Sequence, residues 1–227
     1  MIFYSSEDVT IYHGDAREIL PSLRGIDAVV TDPPYGIGYV VNARKYSNEG
    51  LRGLRPMSVE KGAMISGDDR PFDAGFLLGF AKVAIFGANH YTNLPIGGKW
   101  IVWDKRCESE PDDHSDCEFV WTNTPGSDRI HRQKWRGIVR VGEENLARSR
   151  KLHPNQKPVA LITFVFSELR VITGETVCDP FMGSGSTGVV AVRNGNRFIG
   201  IDIIERNCEV AARRLSREPR APFRFRY

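Results

Sequence analysis

Residues Val29–Gly38 read VVTDPPYGIG. An apolar, β-branched run ends in Asp32, Pro33, Pro34 and Tyr35, which puts these groups at the carboxyl end of a strand, where open α/β sheets build their sites. Adjacent prolines stiffen the backbone and contribute no N–H donors, so the Pro33 carbonyl is left as an acceptor beside the Asp32 carboxylate. Such a pair suits a group carrying two N–H donors. The ring of Tyr35 adds a face on which a flat heterocycle can stack. An exocyclic amino group on a nucleobase meets all three demands. The plainer alternative is a Pro-Pro turn that ends a strand, with Asp32 as its cap.

A second stretch, VCDPFMGSGSTGVVAV (Val177–Val192), spaces Gly183, Gly185 and Gly188 as G-x-G-x-x-G between an apolar run and a helix-like segment. That spacing is also the fingerprint of a dinucleotide-binding turn. Asp202, 17 residues after Gly185 at the end of the next strand-like run, suits a carboxylate that accepts from ribose hydroxyls. Its lateness is unusual, because a nucleotide-binding first turn ordinarily opens its domain.

The elements that must position these groups alternate along the chain. Strand-like runs lie at 9–14, 27–32, 82–87, 99–104, 117–122, 176–181 and 197–202, and helix-like segments at 16–23, 158–170, 186–194 and 205–217. A mostly parallel seven-stranded sheet with helices on both faces follows, a Rossmann-like α/β fold. At 227 residues, 41% hydrophobic and 26% charged, the chain is expected to form a single domain over 1–227. Two polar stretches interrupt it as loop insertions, at about 42–71 and 123–151. No long apolar run is present, and acidic residues stud Met1–Leu20, so the expected location is cytoplasmic with no membrane association. The four cysteines form no C-x-x-C pair, and the mixed ligands of Cys107–Glu118 fit no standard metal spacing, so no metal is expected.

Charge is uneven. Residues 129–151 carry eight basic side chains against Glu143 and Glu144, and residues 206–227 carry seven arginines against Glu209 and Glu218. Clustered arginine is what a phosphate-contacting surface requires, although a solvated basic face looks the same at this level.

Read together, DPPY at Asp32–Tyr35 and DPFMGSGST at Asp179–Thr187 resemble the catalytic and methyl-donor motifs of the amino-directed DNA methyltransferases that use S-adenosylmethionine. The catalytic motif comes first and the donor motif late, an order similar to the circularly permuted β class of that family. LHPNQKPVALITFVF (Leu152–Phe166) resembles the H-P-x-Q-K-P element that precedes the donor motif there, and FIGIDI (Phe198–Ile203) its acidic second strand.

The resemblance implies direct transfer of a methyl group to the amino nitrogen of a base flipped from double-stranded DNA. Asp32, Pro33, Pro34 and Tyr35 would form the catalytic site. Asp179 and Phe181 would flank the donor, Ser184 and Thr187 would lie along its methionine part, and Gly183 and Gly185 would let the backbone approach it. Asp202 would take the ribose hydroxyls, Asp15 the adenine amino group, and Lys157 the donor's carboxylate. D-P-P-Y is associated more with adenine N6 and S-P-P with cytosine N4, so adenine is favoured and cytosine stays open. The resemblance implies a monomer or a homodimer. A nicotinamide oxidoreductase, a protein-glutamine or RNA methyltransferase and a decayed DNA-binding protein are the remaining alternatives.

Overall fold

A computed structural model describes residues 1–38, 67–107, 115–136, 139–140 and 156–219. Most of the first insertion, the centre of Cys107–Glu118, residues 141–155 and the tail from 220 lie outside the described residues.

The chain runs β1 (Ile2–Ser5), β2 (Val9–His13), α1 (Ala16–Ile19), β3 (Ala28–Thr31), β4 (Lys82–Phe86), β5 (Lys99–Asp104), β6 (Cys117–Thr122), β7 (Arg129–Arg132), β8 (Trp135–Arg136), β9 (Val139–Arg140), α2 (Val159–Glu168), β10 (Thr176–Asp179), α3 (Ser186–Arg193), β11 (Arg197–Asp202) and α4 (Glu205–Leu215). Nine strands form one sheet in the order β1-β2-β11-β10-β3-β4-β6-β5-β7, and β8 pairs with β9 apart from it. Five of the eight pairings in the main sheet are parallel.

The expected seven strands are all present, and β1 and β7 extend the sheet at its two edges. The latter corrects the loop expected over 123–151. Its residues, Arg129-Ile130-His131-Arg132, are mostly exposed and show no apolar alternation, yet their backbone pairs in parallel with β5. An edge strand needs only one partner and no buried face, so polarity hid it.

Alternation along the strands sorts the core. Ala28 and Val30 of β3, with Ala84 and Phe86 of β4, join one cluster, and Val29, Val83 and Ile85 join the other. Helices α2, α3 and α4 cover the first face through residues such as Leu161, Val165, Val189 and Ala211. Ala16 and Leu20, with Phe72 and Leu77 from the segment before β4, cover the second. Helices therefore flank both faces, unequally.

The pairing of β10 with β3 fixes the site. The two strands are parallel neighbours, with Val177 opposite Ala28 and Cys178 opposite Val29. From there α3 leads outward to β11 on one side, while β3 is followed by β4 on the other, so the carboxyl ends of β10 and β3 form the topological switch point of the sheet. The chain-late glycine motif thus lies beside the chain-early Asp-Pro-Pro-Tyr motif.

Candidate active site

At the end of β3 the Asp32 carboxylate is engaged on both oxygens. Tyr35 donates its hydroxyl to Oδ1 at 2.8 Å, and Lys157 Nζ lies 2.6 Å from Oδ2. Tyr35 is itself tightly seated: a Cβ added to Gly87, the left-handed residue (φ 65°) that follows β4, would fall 2.0 Å from its Cε1. His90 stacks on the Tyr35 ring, centroids 5.0 Å apart and planes within 18°. The buried Tyr91 donates to the carbonyls of Pro33 at 3.1 Å and Pro34 at 3.3 Å. The Pro33 carbonyl expected to stand open is therefore already held by one donor, with its second lone pair remaining. Asp68 closes the turn by accepting from the Gly36 N–H at 2.7 Å.

Lys157, expected at the donor's carboxylate, is instead part of a largely buried charge cluster at the Asp32 turn. Besides Asp32 it lies 3.2 Å from Glu118 Oε2 and donates to the Tyr35 hydroxyl at 3.3 Å, with the Phe86 ring 5.6 Å away. Glu118 extends from β6 and is also paired with Lys105 at 2.9 Å. Lys105 is thereby turned inward, with its side chain largely buried. Burial pushes the Asp32 carboxyl above its ordinary range, against the pull of Lys157. For Glu118 the penalty of burial is outweighed by Lys157 and Lys105, which hold it down to about 2. Burial works against the charge of Lys157 as well, but the two carboxylates keep it protonated. Burial and Asp32 keep the Tyr35 phenol protonated, as its donor role requires.

On the neighbouring strand, Asp179 is buried and accepts from the Thr31 hydroxyl at 2.7 Å and the Phe181 N–H at 3.1 Å. Burial pushes its carboxyl up to about 7, against hydrogen bonds from Thr31, Thr187 and Phe181. The folded chain thus holds a proton there that the unfolded chain, at the ordinary 3.8, releases. Stability should fall as pH rises from about 4 through 7, because the native state binds the extra proton over that window. Asp179→Asn should flatten that decline and leave the variant a few kcal/mol more stable than the parent at pH 8. Urea unfolding at pH 5 and pH 8 measures this; an unchanged pH slope would refute it.

The glycine turn divides its labour. Gly183, left-handed at φ 50°, donates its N–H to Asp202 Oδ2 at 2.9 Å. Asp202 Oδ1 accepts from Ile204 N at 2.9 Å and Asn207 Nδ2 at 3.1 Å. Three of a carboxylate's roughly four acceptor sites are then filled, leaving about one for a ligand where both ribose hydroxyls were expected. Gly185, expected to face the donor, packs against α4 instead, since a Cβ there would meet Ala211 Cβ at 3.1 Å. Gly188 serves the same packing, with Phe198 and Leu215 within 2.8 Å of its missing Cβ. Arg214 ties Ser184 and Ser186 to α4 by hydrogen bonds of 3.0–3.5 Å. Asp15, expected at the donor's adenine amino group, also caps α1, accepting from Arg17 N at 2.8 Å.

Of the residues assigned to the site from the sequence, all except Gly185 converge. One cavity of about 930 Å³ is lined by Asp15, Asp32, Pro33, Pro34, Tyr35, Lys157, Asp179, Phe181, Gly183, Ser184, Thr187 and Asp202. Sequence reasoning missed Glu118, the seat formed by Gly87 and the clamp formed by Tyr91. A glutamate inside the apolar run CEFVWT was the signal available for the first.

The sequence profile of the DNA methylase family (N6_N4_Mtase) matches residues 89–213, more than half of the chain. The chain belongs to that family. Two Type II methyltransferases are similar to this DNA methylase. M2.DpnII of Streptococcus pneumoniae is 37% identical over 109 residues, covering 48% of the methylase and only 34% of the relative. M.ScaI of Streptomyces caespitosus is 24% identical over 275 residues, covering 97% and 86%. The methylase shares its fold with M1.HpyAVI, crystallised with SAM (TM-score 0.53, 24% identity, 91% of this chain and 100% of that one). It shares it also with the cytosine-N4-specific PvuII DNA methyltransferase (TM-score 0.55, 17% identity, 95% of each chain). No described helix is long and apolar enough to cross a membrane.

Proposed function

We propose that the methylase transfers a methyl group from S-adenosylmethionine to the exocyclic amino nitrogen of a base flipped out of double-stranded DNA, adenine N6 being the favoured acceptor. The observation that carries this reading is the opening of the Asp-Pro-Pro-Tyr turn and the glycine turn into one cavity.

The donor half of that cavity fits the cofactor. S-adenosylmethionine supplies an electrophilic methyl on a sulfonium and carries no phosphate. Asp15 and Asp202 line this cavity, and the Gly183 N–H is directed at Asp202. That surface repels a pyrophosphate and favours a cation, which speaks against a nicotinamide oxidoreductase. Phe181, Ile203 and Ile204 add apolar surface beside Asp202. Asp15 has its second carboxylate oxygen to offer an adenine amino group, and Asp202 its remaining acceptor site to a ribose hydroxyl.

In the other half, Asp32 and the Pro33 carbonyl accept the two amino hydrogens of the flipped base. Their pull draws the nitrogen lone pair out of ring conjugation and aims it at the methyl. His90 now lies on the Tyr35 face, so the base must displace it or stack beyond it. Once the new bond forms, the surplus proton leaves the nitrogen toward Asp32, whose burial has raised its affinity for one. The D-P-P-Y form of the motif supports adenine over cytosine.

Tyr91→Phe removes the hydroxyl that fixes the Pro33 carbonyl and should slow methyl transfer about tenfold, with donor affinity unchanged. Single-turnover rates on DNA would show it; a variant at the parental rate would mean that the clamp is purely architectural.

The deciding experiment incubates the methylase with unmethylated genomic DNA and S-adenosylmethionine, then identifies modified nucleosides by mass spectrometry. N6-methyladenine is expected. N4-methylcytosine would keep the mechanism and reverse the base. Absence of either, with the donor bound, would overturn the DNA reading in favour of RNA or protein as substrate or of a decayed enzyme.

A further inference from the structure

We propose that Lys157 reads the ring nitrogen next to the reacting amino group, and that Glu118 positions it to do so; this rests on the reading above that an amino-bearing base is held at Asp32. The Asp32 turn offers a base acceptors: the carboxylate and the carbonyls of Pro33 and Pro34. Lys157 places an ammonium among them, its Nζ 2.6 Å from Asp32 Oδ2. When an amino hydrogen occupies that oxygen, Lys157 gives up its shortest contact. Glu118 Oε2 is placed to retain it: the atom is buried, lies 3.2 Å from Nζ, and makes no hydrogen bond among the described residues. The other Glu118 oxygen is anchored by Lys105 at 2.9 Å, so the glutamate is fixed while Lys157 turns.

An acceptor and a donor then stand side by side. This pattern complements an amidine edge, in which an N–H donor and a bare ring nitrogen are separated by a single carbon. Adenine presents it as N6 and N1, and cytosine as N4 and N3. Guanine and thymine present the reverse, a carbonyl facing Asp32 and a ring N–H facing Lys157, and both contacts are repulsive. A mismatch of this kind, with buried polar groups left unpaired, discriminates strongly. The Asp32–Lys157 pair therefore selects which bases can be held, and the Asp-Pro-Pro-Tyr turn acts on the one selected.

The test uses a duplex bearing the methylated site identified by nucleoside analysis, with the ring nitrogen of the target base replaced by C–H (1-deazaadenine or 3-deazacytosine). Single-turnover rates are compared with those on the natural duplex for the parent, Lys157→Met and Glu118→Gln. The intrinsic effect of the deaza base on its amino group is common to every enzyme and cancels in the ratio. The penalty for the deaza base should be at least tenfold larger in the parent than in Lys157→Met, with Glu118→Gln between them. Equal penalties in parent and Lys157→Met overturn the inference. Should Lys157→Met fail to fold, an undiminished penalty in Glu118→Gln does the same. Failure of the parent to methylate an amino nitrogen on natural DNA would instead overturn the function on which the inference rests.

Discussion

Asp32→Ala is expected to slow methyl transfer by about a thousandfold or more while leaving donor affinity within a few fold. The carboxylate stands at the junction of three interactions: the Tyr35 hydroxyl on one oxygen, Lys157 on the other, and the amino group of the base in the proposed function. Removing it deletes the main acceptor for the amino hydrogens and leaves Lys157 facing Glu118. The proposed donor site lies elsewhere, around Asp179, Gly183 and Asp202 at the ends of β10 and β11, and keeps its own hydrogen bonds. Asp32→Asn tests the charge alone, since an amide preserves the shape and can still accept from Tyr35. A comparable loss in both variants identifies the negative charge as the working element. Turnover near the parental rate in Asp32→Ala would remove Asp32 from the site. The same result in Asp32→Asn alone would show that the acceptor and not its charge is needed, and calorimetry with S-adenosylmethionine separates either from loss of the donor.

Gly87→Ala should cost about a hundredfold in methyl transfer, because the new Cβ would lie 2.0 Å from Tyr35 Cε1 and 2.5 Å from its Cζ. The ring cannot remain where it is. Its movement breaks the hydrogen bond to Asp32 and the stack on His90 together. The backbone adds a separate cost, since φ 65° disfavours a side chain by about 1–2 kcal/mol, or roughly 5 °C in melting temperature for a chain of this size. Gly87→Asn tells the two apart: asparagine tolerates the left-handed conformation better but still carries a Cβ. Its activity should fall as far as that of the alanine variant, with a smaller drop in melting temperature. If the two activities instead follow the two stabilities, the seat for Tyr35 is not the reason for the glycine.

How much of this could be read from the sequence depended on how local each signal was. The seven expected strands are runs of β-branched and aromatic residues buried on one or both faces, and such runs declare themselves. The edge strands β1 and β7 do not, because half of Ile2–Ser5 and most of Arg129–Arg132 face solvent. Asp32–Tyr35 and Gly183–Thr187 are contiguous motifs, so their types and spacing carried the chemistry. The charge cluster around Asp32 is assembled from three distant segments, and no local pattern announces that Glu118 and Lys157 will meet there. Gly185 misled for the opposite reason. Its motif was recognised, but which glycine faces the cavity and which faces α4 is decided by the packing of Ala211.

The hydrogen bond from Thr31 to Asp179 joins the last residue of β3 to the last residue of β10. These strands are far apart in the chain and adjacent only through their ladder. The Asp-Pro-Pro-Tyr turn and the glycine turn are thus riveted across the sheet rather than strung together by a linker. Their order along the gene is then immaterial to the geometry, and new ends could be opened in any connecting loop without moving one turn relative to the other. Their alignment is not free in the same way: a slip of one residue between β3 and β10 would part the Thr31 hydroxyl from the Asp179 carboxylate and draw the two turns out of line.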